Sequence, residues 1–141
     1  MAADGRRSKS DITTSRDEKA IQKIIERFAE GIRTLDANLV SSIFHPEALS
    51  FSVTARGICI EPFGAWPEIM RQAGVDNTHI FRERFSTRIL KIDIAGTAAI
   101  AKVEWKFERA RIIDFYNLLK TDDGWLITNQ VYHTYPAGKA G

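Results

Sequence analysis

The sequence predicts an α+β domain in which helices come first and a strongly curved antiparallel sheet follows. Three observations carry that prediction. Apolar residues recur at helical spacing in segments between Asp17 and Ala73, and from Ile80 onward the pattern is one of strands. The stretch from Arg111 to Tyr135, RIIDFYNLLKTDDGWLITNQVYHTY, reads as one long β-hairpin around a Thr121-Asp122-Asp123-Gly124 turn.

The elements follow in order. Residues 1–16 are polar, with Arg6, Arg7 and Lys9, and read as a disordered or loosely docked tail. From Asp17 to Arg33, residues Ile21, Ile24, Ile25, Phe28, Ala29 and Ile32 mark one helical face, with Asp17 or Ser15 as candidate caps. Leu35-Asp36 breaks the helix, and Asp36 can cap a short second one, Ala37 to Phe44, ended by His45-Pro46. Ala48 to Thr54 alternates as a strand, and Arg56-Gly57 turns the chain into Ile58-Cys59-Ile60. A third helix is expected over Pro62–Ala73, with Pro62 in its first turn and Gly74 past its end. A long strand from Phe81 to Ile94 needs a bulge near Arg88. Thr97 to Phe107 places Ala99, Ala101, Val103, Trp105 and Phe107 on one face and Lys102, Glu104, Lys106 and Glu108 on the other. Residues 17–135 thus form one domain, with a second tail at 136–141.

Composition bounds the function. The chain has 141 residues, 44% hydrophobic and 27% charged, as an ordinary soluble protein does. A net charge of +2 offers no electrostatic case for nucleic acid or a membrane surface. The basic cluster Arg82, Arg84, Arg88, Arg109 and Arg111 reads as a solvated strand face paired with Glu83, Glu104 and Glu108. The single cysteine, Cys59, fits a reducing, cytoplasmic setting and reads as a small core residue. No two histidines have metal-ligand spacing, so neither a metal nor another cofactor is expected. His45 belongs to the His-Pro turn, and His133 falls on the face opposite Asp114.

Asp114 stands out because a carboxylate in the middle of an apolar strand needs partners or a task. Three readings stay open: a structural Asp bonded to a tyrosine, a backbone N–H or an arginine; a functional acid or base; and exposure at a strand edge. Both faces of the hairpin look apolar. One could line a ligand pocket. The other, with Ile113, Phe115, Leu119, Trp125, Ile127 and Val131, could be sealed by a second copy, and the dimer face is assigned to Phe115, Trp125, Ile127 and Val131.

The segments Phe28–Phe51, Leu90–Trp105 and Arg111–Ile127 resemble the nuclear transport factor 2-like superfamily, which includes ketosteroid isomerases and polyketide cyclases of the SnoaL type. Within it they look most like the group called putative lumazine-binding proteins. The resemblance implies a cone whose curved antiparallel sheet wraps three N-terminal helices, a pocket between sheet and helices, and dimerisation through the outer sheet face. It sets Asp114 where ketosteroid isomerases keep an Asp that an apolar site holds neutral, so that it donates a hydrogen bond to the substrate oxygen. It sets Phe28 at the oxyanion-binding tyrosine and Ser52, near Thr54 and Arg56, at the carboxylate base, so ketosteroid-type proton shuttling lacks two of its parts.

If Asp114 points inward, so does Tyr116, and a three-residue Asp122-Asp123-Gly124 loop places Tyr132, Gln130 and Thr128 opposite. Phe28, Trp66, Met70 and Trp105 supply apolar walls, and His79 near the mouth joins Asp114 and Tyr116 as a candidate acid or base. The expected function is a cofactor-free pocket protein for a hydrophobic small molecule, acting as an isomerase, cyclase or dehydratase by acid–base chemistry. The alternative is a non-catalytic small-molecule-binding or dimerisation module.

Overall fold

The computed structural model describes residues 9–63 and 84–136. Helix α1 spans Lys9–Thr34 and α2 spans Ala37–Ser42. Strands follow at Phe44–Thr54 (β1), Gly57–Pro62 (β2), Phe85–Ala95 (β3), Ala98–Phe107 (β4), Ala110–Thr121 (β5) and Gly124–Pro136 (β6). They form one six-stranded sheet in the order β2-β1-β6-β5-β4-β3.

The α1–α2 elbow forms as its residues require. Leu35 takes a left-handed φ of 53°, and Asp36 caps α2 by accepting from the Leu39 backbone N–H at 3.0 Å. Gly31 lets the two helices touch, since a Cβ there would lie 2.6 Å from Val40 Cγ2. The β1–β2 and β5–β6 hairpins share one turn chemistry. Thr54 and Thr121 each donate to the carbonyl of the glycine three residues on and accept a backbone N–H from the residue two on. Gly124 closes the second turn at a φ of 111°, which suits glycine.

The core lies between α1 and the inner face of the sheet. Ile21, Ile25, Phe28 and Ile32 of α1 pack on Ala101, Val103, Trp105, Tyr116, Leu118 and Ile127. Burial of such side chains contributes roughly 2 kcal/mol each. Asp17 fastens α1 to the far end of the β5–β6 hairpin. It accepts from Trp125 Nε1 at 3.1 Å and pairs with Lys120 Nζ at 2.9 Å. Burial pushes its carboxyl up, but Lys120 and Trp125 prevail and hold it below the ordinary value.

Several expectations change. α1 begins at Lys9, inside the segment read as a tail, so Asp17 is an interior helix residue and not a cap. The sheet is mixed, not wholly antiparallel, because β1 runs parallel to β6. Two helices are described; the third was expected over Pro62–Ala73, where Pro62 ends β2, Phe63 is buried core, and the rest lies outside the described residues. The bulge in β3 falls at Leu90, just past Arg88. Cys59 is half-exposed on the edge strand β2, not in the core.

The largest correction concerns β6. The hairpin loop is a two-residue turn, with Thr121 paired to Gly124, and not the three-residue loop expected. A bulge at Thr128 then restores the count, so Gln130 faces Tyr116 and Tyr132 faces Asp114 as expected. Between turn and bulge the alternation is inverted. Trp125 and Ile127, assigned to the dimer face, point into the core at 5% and 0% exposure. Phe115 and Val131 remain on the outer face, at 46% and 49%.

Candidate active site on the inner face

The site grows from strand alternation. On β5, Asp114, Tyr116 and Leu118 are buried on the inner face, while Phe115 and Leu119 are exposed on the outer one. Beyond its bulge, β6 brings Gln130 inward, and β4 contributes Trp105. Ser50 on β1 is the register partner of Gln130.

These side chains form one hydrogen-bonded ladder across four neighbouring strands. Ser50 Oγ donates to Gln130 Oε1 at 3.0 Å, and Gln130 Nε2 donates to Asp114 Oδ1 at 2.5 Å. From the other side Trp105 Nε1 donates to the Tyr116 hydroxyl at 3.2 Å, and that hydroxyl donates to Asp114 Oδ2 at 2.5 Å. None of the five residues is more than 5% exposed. Each carboxyl oxygen therefore accepts from a neutral donor.

Burial dominates the proton affinity of Asp114. It pushes the carboxyl up to about 6, against the pull of the Tyr116, Gln130 and Trp105 hydrogen bonds. Burial, and then the neighbouring Asp114 charge, push the Tyr116 phenol well above its ordinary range. Near neutral pH, Asp114 can thus hold or release a proton, whereas Tyr116 stays protonated and donates.

Aromatic rings surround this ladder. Phe28 meets Phe44, Trp105 and Tyr116 edge-on at centroid distances of 5.1, 5.3 and 6.0 Å. Phe44 stacks on Phe63 at 4.1 Å, and the Phe85 ring, 5.6 Å from Trp105, lies under the Arg33 guanidinium.

Of the residues expected at the site, Asp114, Tyr116, Gln130, Trp105 and Phe28 come together. Tyr132 stands beside Asp114 on β6 and is half-buried. Trp66, Met70 and His79 lie outside the described residues. Ser50 was not anticipated. Its signal was the small, polar phase Ala48-Ser50 of β1, which faces inward, whereas Leu49 and Val53 of the apolar phase are exposed.

Besides Asp17 and Asp114, a third buried carboxylate among the described residues, Glu104, lies on the outer face. Arg111 Nε donates to Glu104 at 2.8 Å, and Arg88 and Lys106 approach at 3.4 and 3.9 Å. The Arg111 hydrogen bond, with help from the other two cations, outweighs burial and lowers the Glu104 carboxyl. His45, expected in a His-Pro turn, instead lies within β1, where its Nδ1 accepts from the Glu47 backbone N–H. An open depression of about 420 Å³ lies away from Asp114, lined by Asp93, Ile100, Asn117, Leu119 and Thr128 among others. Among the described residues no group of three or more His, Cys, Asp or Glu could hold a metal ion, and no helix is long and apolar enough to cross a membrane.

Comparison with known proteins places this geometry. The family model described as "Putative lumazine-binding" matches residues 16–133. A solved NTF2-like protein of unknown function from Shewanella baltica OS155 is 27% identical, with a TM-score of 0.74, covering 87% of this chain and 97% of its own. A second, from Silicibacter pomeroyi DSS-3, is 20% identical with a TM-score of 0.73, covering 86% and 98%. A ketosteroid isomerase-like protein from Erwinia carotovora atroseptica shares the fold at 10% identity and a TM-score of 0.59, covering 82% and 94%. A search of curated proteins found no match. With nearly all of its domain matched, the chain belongs to the putative lumazine-binding family, within the nuclear transport factor 2-like superfamily.

Proposed function

We propose that this protein binds a hydrophobic small molecule against the inner face of its sheet and uses Asp114 as the proton donor or acceptor of an isomerase, cyclase or dehydratase reaction. The observation that carries this reading is the carboxyl itself. It is 3% exposed, its hydrogen-bond partners are neutral, and burial pushes it up to about 6. A group poised near the working pH is what general acid–base catalysis needs. Tyr132 orients the substrate, Tyr116 holds the Asp114 carboxyl, and Phe28 and Trp105 wall the site. Two-point proton shuttling of the ketosteroid type is not part of the reading, because Phe28 lacks a hydroxyl and Ser52, Thr54 and Arg56 lack a carboxylate.

A second reading is a non-catalytic binding module. It is favoured by the fact that both Asp114 oxygens already accept hydrogen bonds within the protein. One variant separates the two once mass spectrometry of the purified protein has identified a bound molecule. Asp114→Asn keeps the shape but removes the titrating proton. A catalytic Asp114 predicts a loss of roughly a hundredfold or more in turnover of that molecule. Turnover equal to the parent's sinks the catalytic role, and altered affinity with no reaction in either protein supports the binding module.

The outer face completes the proposal. Ile60, Phe51, Val131 and Phe115 lie in register across β2, β1, β6 and β5, with Lys102 over the Phe115 ring at the end of the row. This stripe supports a homodimer packed back to back, centred on Phe115 and Val131.

A further inference from the structure

The two arms that meet at Asp114 differ in kind. An indole N–H can only donate, so Trp105 commits the Tyr116 oxygen to accepting and its proton to Asp114. That arm has one polarity. The other arm is built from Gln130, whose amide has a donor end and an acceptor end, and from Ser50, whose hydroxyl can donate or accept. That arm can work in both directions. A buried carboxyl that changes protonation state needs such a partner, because a donor that suits the anion leaves the acid's own proton without an acceptor.

We infer that Ser50 and Gln130 are positioning residues forming a reversible arm that follows the Asp114 proton. With Asp114 ionised, Ser50 donates to Oε1 and Nε2 donates to the carboxylate, as the structure has it. When Asp114 takes a proton from solvent onto Oδ1, the Gln130 amide turns over. The acid then donates to Oε1, Nε2 donates to Ser50 Oγ, the Ser50 proton rotates away from Gln130 and gives up its hydrogen bond there, and the Trp105–Tyr116 arm is unchanged. No bond between heavy atoms is made or broken. The arm holds the protonated acid in place, and it decides whether the proton is shared with Gln130 or offered to a ligand.

The groups around the carboxyl leave this exchange to the two arms. Among the described residues, the titratable groups beside Asp114 are Tyr116 on its own strand and Tyr132 opposite it on β6. β4 brings Val103 and Trp105, β1 reaches it through Ser50, and α1 brings Phe28 against Tyr116 and Trp105; none is charged.

The inference deepens the proposed function, and rests on it only in taking the inner face as the ligand site. Its test needs no ligand. In isotope-labelled protein, nuclear magnetic resonance follows the Asp114 carboxyl carbon, the Gln130 side-chain amide and the Trp105 indole N–H from pH 4 to pH 8. The Gln130 Nε2 protons should show Overhauser contacts to the Asp114 Cβ protons above the Asp114 midpoint and to the Ser50 Cβ protons below it, while the indole signal moves little. Gln130→Met, which can neither donate to the carboxylate nor accept from the acid, removes a partner from both protonation states, so the midpoint should move by well under the roughly one pH unit, tenfold in proton affinity, that losing a one-way donor to the anion would cause. Ser50→Ala, which frees the amide on its β1 side, should broaden or double the Gln130 signals. Unchanged Overhauser contacts across the titration overturn the inference, and that measurement requires no variant to fold. A midpoint in Gln130→Met raised by a full pH unit or more also overturns it, since that marks a partner of the anion alone. Either result leaves the ligand reading intact, whereas normal turnover by Asp114→Asn would remove catalysis and leave the arm standing.

Discussion

Burial pushes the Glu104 and Asp114 carboxyls the same way, upward, and their neighbours decide the outcome. Glu104 has Arg111, Lys106 and Arg88 around it, and its carboxyl is lowered. Its contribution to stability is present above the unfolded value and is lost as pH falls through the lowered folded one. Asp114 has neutral donors, and burial raises it to about 6. Between the ordinary carboxyl value and 6, the folded state keeps a proton that the unfolded chain has released. Stability therefore falls as pH rises through that window, by about 3 kcal/mol in all, and is flat above it. Asp114→Asn carries no charge to bury. Urea unfolding should show the variant gaining on the parent by about that amount between pH 4 and pH 7.5. A constant difference across the range would mean that the carboxyl does not titrate in this window.

At the scale of elements, the Thr128 bulge shapes the hairpin. Thr128 Oγ1 donates to the Asn117 carbonyl beside it, and Asn117 pairs with Asn129 at 2.7 Å. Alternation alone placed Asp114, Tyr116, Gln130 and Tyr132 on one face, because a loop counted one residue too long compensated for a bulge not foreseen. The same pair of errors put Trp125 and Ile127 outside. A bulge leaves little trace in a strand whose two faces are both apolar, since neither phase is visibly wrong. The helical elbow was legible at Leu35-Asp36, yet its tight point, Gly31 against Val40, is a contact between elements and lay beyond reach. Gly31→Ala gains helix propensity but pushes a methyl into the buried Val40. A net loss of about 1–2 kcal/mol in thermal or urea unfolding is expected. A stabilised variant would show that α2 can shift away freely.

For the whole molecule, the question is what covers the outer stripe. Val53, Ile58 and Ile60 are 79%, 74% and 56% exposed, and with Phe115 and Val131 they make an apolar band larger than isolated surface residues would. The homodimer predicts that Phe115→Lys combined with Val131→Glu yields a monomer in analytical ultracentrifugation. The inner face should be undisturbed, with the Asp114 midpoint unchanged. Parent protein that sediments as a monomer at micromolar concentration would remove the homodimer.

The sequence by itself determined the order of the described elements, the elbow at Asp36, and the alternation of β4 and β5 that puts Asp114 and Tyr116 on one face. All are local: they follow from the spacing of apolar side chains and from turn and cap residues that act within a few positions. Tertiary structure decided what Asp114 touches, that β1 runs parallel to β6, that Ser50 stands behind Gln130, and that Asp17 ties α1 to Trp125 and Lys120. Those depend on register between strands distant in sequence. A shift of one residue there reverses which side chains meet, while the composition of every strand stays the same.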